Sequence, residues 1–148
     1  WPLATTLTAP LAGRLIERVH PGLLGALGMG IFALGLCLLA TLGQISSPME
    51  LGWRMAICGI GIGFFQTPNN VTITTSAPIQ RSGGASGMLG TARVLGQTLG
   101  TALVAVLFHL FGNQGGGEVI CLWVALGLAA TAGVLSVCRV KEHSPIQK

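Results

Sequence analysis

Residues 23–42 read LLGALGMGIFALGLCLLATL, an unbroken apolar run with no charged side chain and nothing polar beyond Thr41. An α-helix rises 1.5 Å per residue, so about 20 residues cross the roughly 30 Å of bilayer hydrocarbon, and this stretch is long enough. Windows 55–80, 94–117 and 119–138 are likewise free of Asp, Glu, Lys and Arg. A transmembrane strand would need segments of about 10 residues alternating apolar and polar, and no window alternates in that way. The fold class that follows is all-α, a polytopic membrane helix bundle. It has four complete spans at 23–42, 53–77, 85–109 and 119–138, and a partial one at 1–13. Trp1–Gly13 is uncharged but short, and the chain opens on Trp without the basic leader or small-residue cleavage site of a signal peptide. The expectation is a C-terminal piece of a longer protein, entered through the end of a preceding helix.

Composition excludes the main alternatives. Charged residues make up 8% of the 148, against about 25% in soluble domains. Hydrophobic residues make up 51%, glycine contributes 23 positions, and mean hydropathy is +0.73. A chain this poor in charge cannot clothe a globule in water, so a soluble enzyme is excluded. Disorder would need low hydrophobicity, and a disulfide scaffold would need dense cysteine. Cys37, Cys58, Cys121 and Cys138 lie inside the spans without metal-ligand spacing and read as small apolar residues. Gly59-x-Gly61-x-Gly63 lacks the preceding strand and spacing of a nucleotide loop. Gly59/Gly63 and Gly96/Gly100 fit small-xxx-small positions, where helix backbones approach closely.

Consecutive spans alternate direction, so 14–22, 79–84 and the tail 139–148 share one side of the membrane. They carry Arg14, Arg18, Arg81, Arg139, Lys141 and Lys148, whereas the other side has only Arg54, with Glu50 and Glu118. This asymmetry places the tail in the cytoplasm. The net charge of +4 thus reports orientation in a membrane. A nucleic-acid partner would need clustered bases interleaved with aromatics, and the chain has only three Trp, five Phe and no Tyr.

The spans differ in polarity. Spans 23–42 and 119–138 are almost wholly apolar and suit lipid contact. Span 53–77 contains Gln66, Thr67, Asn69, Asn70, Thr72, Thr74, Thr75 and Ser76 around Pro68, and span 85–109 contains Ser86, Thr91, Arg93, Gln97, Thr98 and Thr101. At 3.6 residues per turn, Gln66, Asn70 and Thr74 form one stripe and Arg93, Gln97 and Thr101 another. Unsatisfied amides in hydrocarbon cost several kcal/mol each, so both stripes should turn from lipid. Two readings stand side by side. The stripes, with Asn69, either line a substrate pathway or exchange interhelical hydrogen bonds worth about 0.6 kcal/mol a pair. Pro68 should kink its helix beside Asn69 and Asn70, exposing carbonyls to a cavity or merely shaping the packing.

Arg93 would lie about 14 Å along a helix that starts near Gly84. An arginine at mid-membrane costs about 2.5–3.5 kcal/mol on insertion scales, so it needs a partner or water. No Asp or Glu lies in any span, which leaves a carbonyl, an acid from elsewhere or an anionic ligand. The alternative is that 82–92 is interfacial and Arg93 snorkels to the membrane face. His109 reads as an interface anchor or as a group titrating between pH 5 and 8. Without membrane carboxylates, the residues present do not make a proton relay by themselves.

Leu11-Ala12-Gly13-Arg14-Leu15-Ile16-Glu17-Arg18 resembles the second-half copy of the major facilitator loop motif, roughly G-x-L-x-D-R-x-G-x-R. Gly13, Leu15 and Arg18 match, Glu17 stands for the usual acid, and His20 and Gly22 replace a glycine and a base. Pro78, Arg81, Gly83, Gly84, Ala85-Ser86-Gly87, Arg93, Gly96 and Gly100 are similar to the penultimate-helix signature of fourteen-helix drug–proton antiporters. The resemblance implies part of the C-terminal six-helix bundle of a major facilitator fold. It also implies alternating access, with the two polar helices lining the cavity and the two apolar ones at the periphery. Family members expel lipophilic, often cationic, compounds, with the proton gradient as energy source and no cofactor. The expected protein is a multi-pass carrier of the plasma (inner) membrane. Its partners would be the lipid bilayer, a small-molecule substrate and the missing N-terminal part of the same carrier. A carrier for a metabolite or organic anion would suit Arg93, and a small standalone membrane interaction protein is the reading from another class.

Overall fold

The computed structural model describes residues 2–41, 47–112 and 116–142. They form α1 (Pro2–Ile16), α2 (Pro21–Ala40), α3 (Pro48–Thr75), a 3-10 turn (Ile79–Arg81), α4 (Ser82–Phe111) and α5 (Gly117–Glu142), with no strand among the described residues. Helix starts follow capping chemistry. Ser47 accepts a hydrogen bond from the Glu50 amide at 3.3 Å, Pro48 occupies the first helical position, and Glu50 lies in the first turn, where its charge suits the helix dipole. His20 caps α2 ahead of Pro21. Each helix differs from its expected span by a few residues at the ends. The largest difference is at α3, which begins at the Ser-Pro cap and stops at Thr75, so that Ser76 and Ala77 fall in the connection to α4.

Three helices, Pro21–Ala40, Ser82–Phe111 and the Gly117–Cys138 part of α5, are long and apolar enough to cross a membrane. The 28-residue α3 has the length, about 42 Å at 1.5 Å per residue, but Arg54 and the polar run from Gln66 onward dilute its apolar character. The exterior is that of a protein solvated by lipid: Leu23, Leu27, Leu34, Leu99, Leu110, Trp123, Leu128 and Leu135 all point outward.

Helix α2 is central, packed antiparallel against both α3 and α5. Glycine permits the approach to α3. A Cβ on Gly28 would stand 2.6 Å from the Phe65 amide nitrogen and 2.7 Å from the Gly61 carbonyl oxygen, and one on Gly61 would collide with the Phe32 backbone. Further along, Gly35 lies over Cys58. Between α2 and α5, Met29, Leu36 and Ala129 form the buried core, with Phe32, Phe65, Leu122 and Leu126 around it. On the other side α1 runs parallel to α3. There Thr5 donates to the Gly59 carbonyl at 3.2 Å, and buried Thr8 sits over Gly63. Gly63 is thus a close-packing position.

Helix α4 is the exception. It has no buried residue and meets α3 and α5 only sparsely. Nothing among the described residues lies within 4 Å of a Cβ built on Gly96 or Gly100. The small-xxx-small expectation for that pair therefore finds no partner helix here, because α4 stands to the side of the packed group.

Candidate substrate pathway

The polar half of α3 begins at Gln66, two residues before Pro68. Proline has no amide hydrogen, so the carbonyl four residues earlier loses its helical donor. The hydroxyls that follow bond back to their own helix: Thr72 donates to the Pro68 carbonyl at 2.8 Å, and Thr74 to the Asn70 carbonyl at 2.9 Å. These bonds let threonines sit in an apolar setting without a partner helix. On α4, Thr98 and Thr101 do the same, to the Val94 carbonyl at 2.9 Å and the Gln97 carbonyl at 2.8 Å.

The two stripes meet at one point. An Nη of Arg93 donates to Oδ1 of Asn70 across 3.5 Å, a long bond and the only one Arg93 makes among the described residues. Asn70 lies five residues, about 7.5 Å, from the last residue of α3, and Arg93 eleven residues, about 17 Å, into α4. A helical side chain leans back toward its helix N-terminus, so the long arginine spans the difference. One amide oxygen occupies one of the five guanidinium N–H groups and does not neutralise the charge. The arginine therefore keeps donors and charge available toward the space between α3 and α4, where its side chain is exposed.

The seven expected pathway residues do not share one face. Gln66, Asn70 and Thr74 are half-buried on the α4 side of α3, and Arg93, Gln97 and Thr101 are exposed on α4, with Gln97 and Thr101 along a shallow groove that includes Ala102 and Ala105. Asn69 turns the other way. It lines a cavity of about 120 Å³ between α2, α3 and α5 with His20, Gly25, Phe65, Pro68 and Ser136. The i, i+4 register explains the split: Asn69 is 100° from Asn70 around the axis and falls with Phe65 and Pro68.

The loop-motif residues lie at the end of α1. Gly13 has open space around it, and Glu17 and Arg18 are exposed in the turn, where the Arg18 amide donates to the Leu15 carbonyl at 3.0 Å. No ion pair joins Glu17 or Arg18 to another described residue. His109 is exposed in the last turn of α4, and all four cysteines are free.

Three residues matter more than spacing suggested. His20 accepts from the Gly22 amide, and Ser136 of α5 donates to the Gly22 carbonyl at 3.0 Å. Arg54 reaches back to the Leu38 carbonyl in the last turn of α2, with its guanidinium 5.2 Å from the Trp53 ring centroid. A polar residue followed by Pro just before an apolar run is a helix-start signal, so the role of His20 was legible in His20-Pro21. Nothing in the sequence marks the other two.

The comparisons agree with this architecture. The sequence profile of the Major Facilitator Superfamily matches residues 1–148. Among individual proteins, the chain is similar to the uncharacterized transporter YebQ of Escherichia coli (strain K12), 55% identical over 142 residues, covering 96% of this chain and 31% of that one. Multidrug resistance protein Stp of Mycobacterium tuberculosis is 28% identical over 84% of this chain and 21% of its own. Quinolone resistance protein NorB of Staphylococcus aureus is 27% identical over 82% of this chain and 27% of its own. The chain thus spans between about a fifth and a third of the length of these relatives. No solved structure gives a significant match. An all-helical chain with a lipid-type exterior, matched along its whole length by one family profile, belongs to the Major Facilitator Superfamily, a family of membrane carriers and not of enzymes.

Proposed function

We propose that this chain is part of the C-terminal bundle of a secondary active carrier that expels drugs or lipophilic cations across the plasma membrane by alternating access, driven by proton exchange. The observation that carries this reading is the Asn70–Arg93 contact, which joins the polar faces of two helices whose neighbours are apolar. A face of this kind costs too much to hold against lipid and serves as the wall of a hydrated route. The resistance functions named for Stp and NorB support drugs as the substrate class. Arg93 repels a cation, so in this reading it holds Asn70 and responds to charge changes elsewhere in the carrier, while Gln66, Asn70 and Gln97 contact the substrate. The remaining parts of the reading are that Gly13, Glu17 and Arg18 shape the turn that moves between states and that residues 139–148 are the cytoplasmic tail.

The test uses the full-length carrier in a drug-sensitive host. Arg93→Ala is expected to abolish resistance with expression intact, and normal efflux by that variant would sink the role. Asn70→Leu is expected to change the ranking of several drugs, and an unchanged profile would reduce the stripe to packing. A second reading, a carrier for an organic anion, is favoured by the charge that Arg93 retains in the absence of any span carboxylate. Competition uptake separates the two: inhibition by organic anions and not by lipophilic cations would select it.

A further inference from the structure

We infer that His20 is a proton-sensitive latch on the start of α2. Its Nδ1 accepts a hydrogen bond from the Gly22 amide at 3.2 Å, so it acts as the N-cap of the helix. Serine, threonine, asparagine and aspartate cap at every pH near neutrality, whereas imidazole can accept only while that nitrogen is unprotonated. A proton taken from solvent by Nδ1 removes the acceptor and sets an N–H against the Gly22 N–H. It also places positive charge at a helix N-terminus, where the dipole disfavours it. Capping and protonation are therefore mutually exclusive, and the cap is lost when the ring nitrogen takes up a proton.

A second observation makes this more than a helix end. Gly22 is held from both sides, its amide by His20 and its carbonyl by Ser136 of α5, and all three residues line the cavity of about 120 Å³ that also receives Asn69. Releasing the amide frees one wall of that cavity while the α5 contact remains. From α3 and α5 the side chains around the latch are the neutral Asn69, Thr72 and Ser136. The charged residues at this end of the bundle are Arg14, Glu17 and Arg18 at the end of α1, Arg81 before α4, and Arg139, Lys141 and Glu142 at the end of α5, so among the described residues Glu17 and Glu142 carry the negative charge. The latch requires no particular substrate and stands whether or not carriage is coupled to protons.

Hydrogen–deuterium exchange of the full chain in lipid nanodiscs at pH 8 and pH 5, with each rate referred to its intrinsic value at that pH, tests it. Wild type is expected to lose about fivefold protection over 22–24 at the lower pH, the size of a typical cap. His20→Asn is expected to hold its protection at both pH values, and His20→Ala to be low at both. Wild-type protection that does not change with pH, a response that persists in His20→Asn, or an equal loss over Gly59–Gly63 of α3 would each overturn the latch.

Discussion

Arg54 and Arg93 are both helical arginines without a carboxylate partner among the described residues, and they meet the problem differently. Arg54 is half-buried and donates to the Leu38 carbonyl, one of the last-turn acceptors of α2 that no helical amide can satisfy. Its positive charge also suits the negative end of that helix dipole, although its Nε is buried without a partner. Arg93 has a single long bond to a neutral amide and remains exposed. The first arrangement is structural and the second leaves a charge available for function. Arg54→Met, which keeps the length and removes the donors, is expected to cost about 1–2 kcal/mol, with Arg54→Lys between it and wild type. Thermal unfolding of the purified carrier in detergent checks this, and equal midpoints for Met and wild type would mean that the contact is idle. In the sequence Arg54 is only the lone base on its side of the membrane. Its partner lies 16 residues away on another helix, so no local spacing reveals it.

At the level of the helix, glycine separates what is legible from what is not. Gly28 and Gly30 lie two residues apart on α2 in the same apolar context. Only Gly28 faces backbone, with the Phe65 nitrogen 2.6 Å from a would-be Cβ, whereas Gly30 has nothing within 4 Å. Gly28→Ala should force α2 from α3 and destabilise the protein by about 1–3 kcal/mol. Gly30→Ala should be neutral or stabilising by up to about 1 kcal/mol through helix propensity. Thermal midpoints of the two variants in parallel decide it, and indistinguishable midpoints would contradict the close approach. Helix starts, by contrast, are local chemistry: Ser47-Pro48-Met49-Glu50 marks the start of α3, five residues before the position 53 that the apolar span alone suggested. The polar stripe of α3 was half legible. Periodicity groups Gln66, Asn70 and Thr74 on one face of α3, whereas Asn69, also in the expected pathway, is turned by the packing against α2 and α5 into the cavity between those helices.

For the whole molecule, α1, α2, α3 and α5 form one packed group and α4 stands beside it, touching α3 through Arg93. The ends of α1, α3 and α5 and the starts of α2 and α4 lie together, and Arg14, Arg18, Arg81 and Arg139 cluster at that end. With six basic residues on that side against one on the other, a fluorescent protein fused after Lys148 is expected to fluoresce in intact cells, and alkaline phosphatase fused there to be inactive. The reverse result would invert the proposed orientation.

The sequence by itself determined the all-helical membrane class. Hydrocarbon offers no hydrogen bonds, so each span must satisfy its own backbone, and length and charge spacing along one dimension suffice to show it. The family was legible for the same reason, because its turn and glycine signatures are local. Only the tertiary structure decided which glycines meet a backbone, that Asn69 lines the cavity between α2, α3 and α5 while Asn70 meets Arg93 of α4, and that Arg54 closes the end of α2 while Arg93 keeps its charge. Those outcomes depend on the rotation of each helix about its axis against its neighbours, a quantity fixed by packing between segments and carried by no single segment.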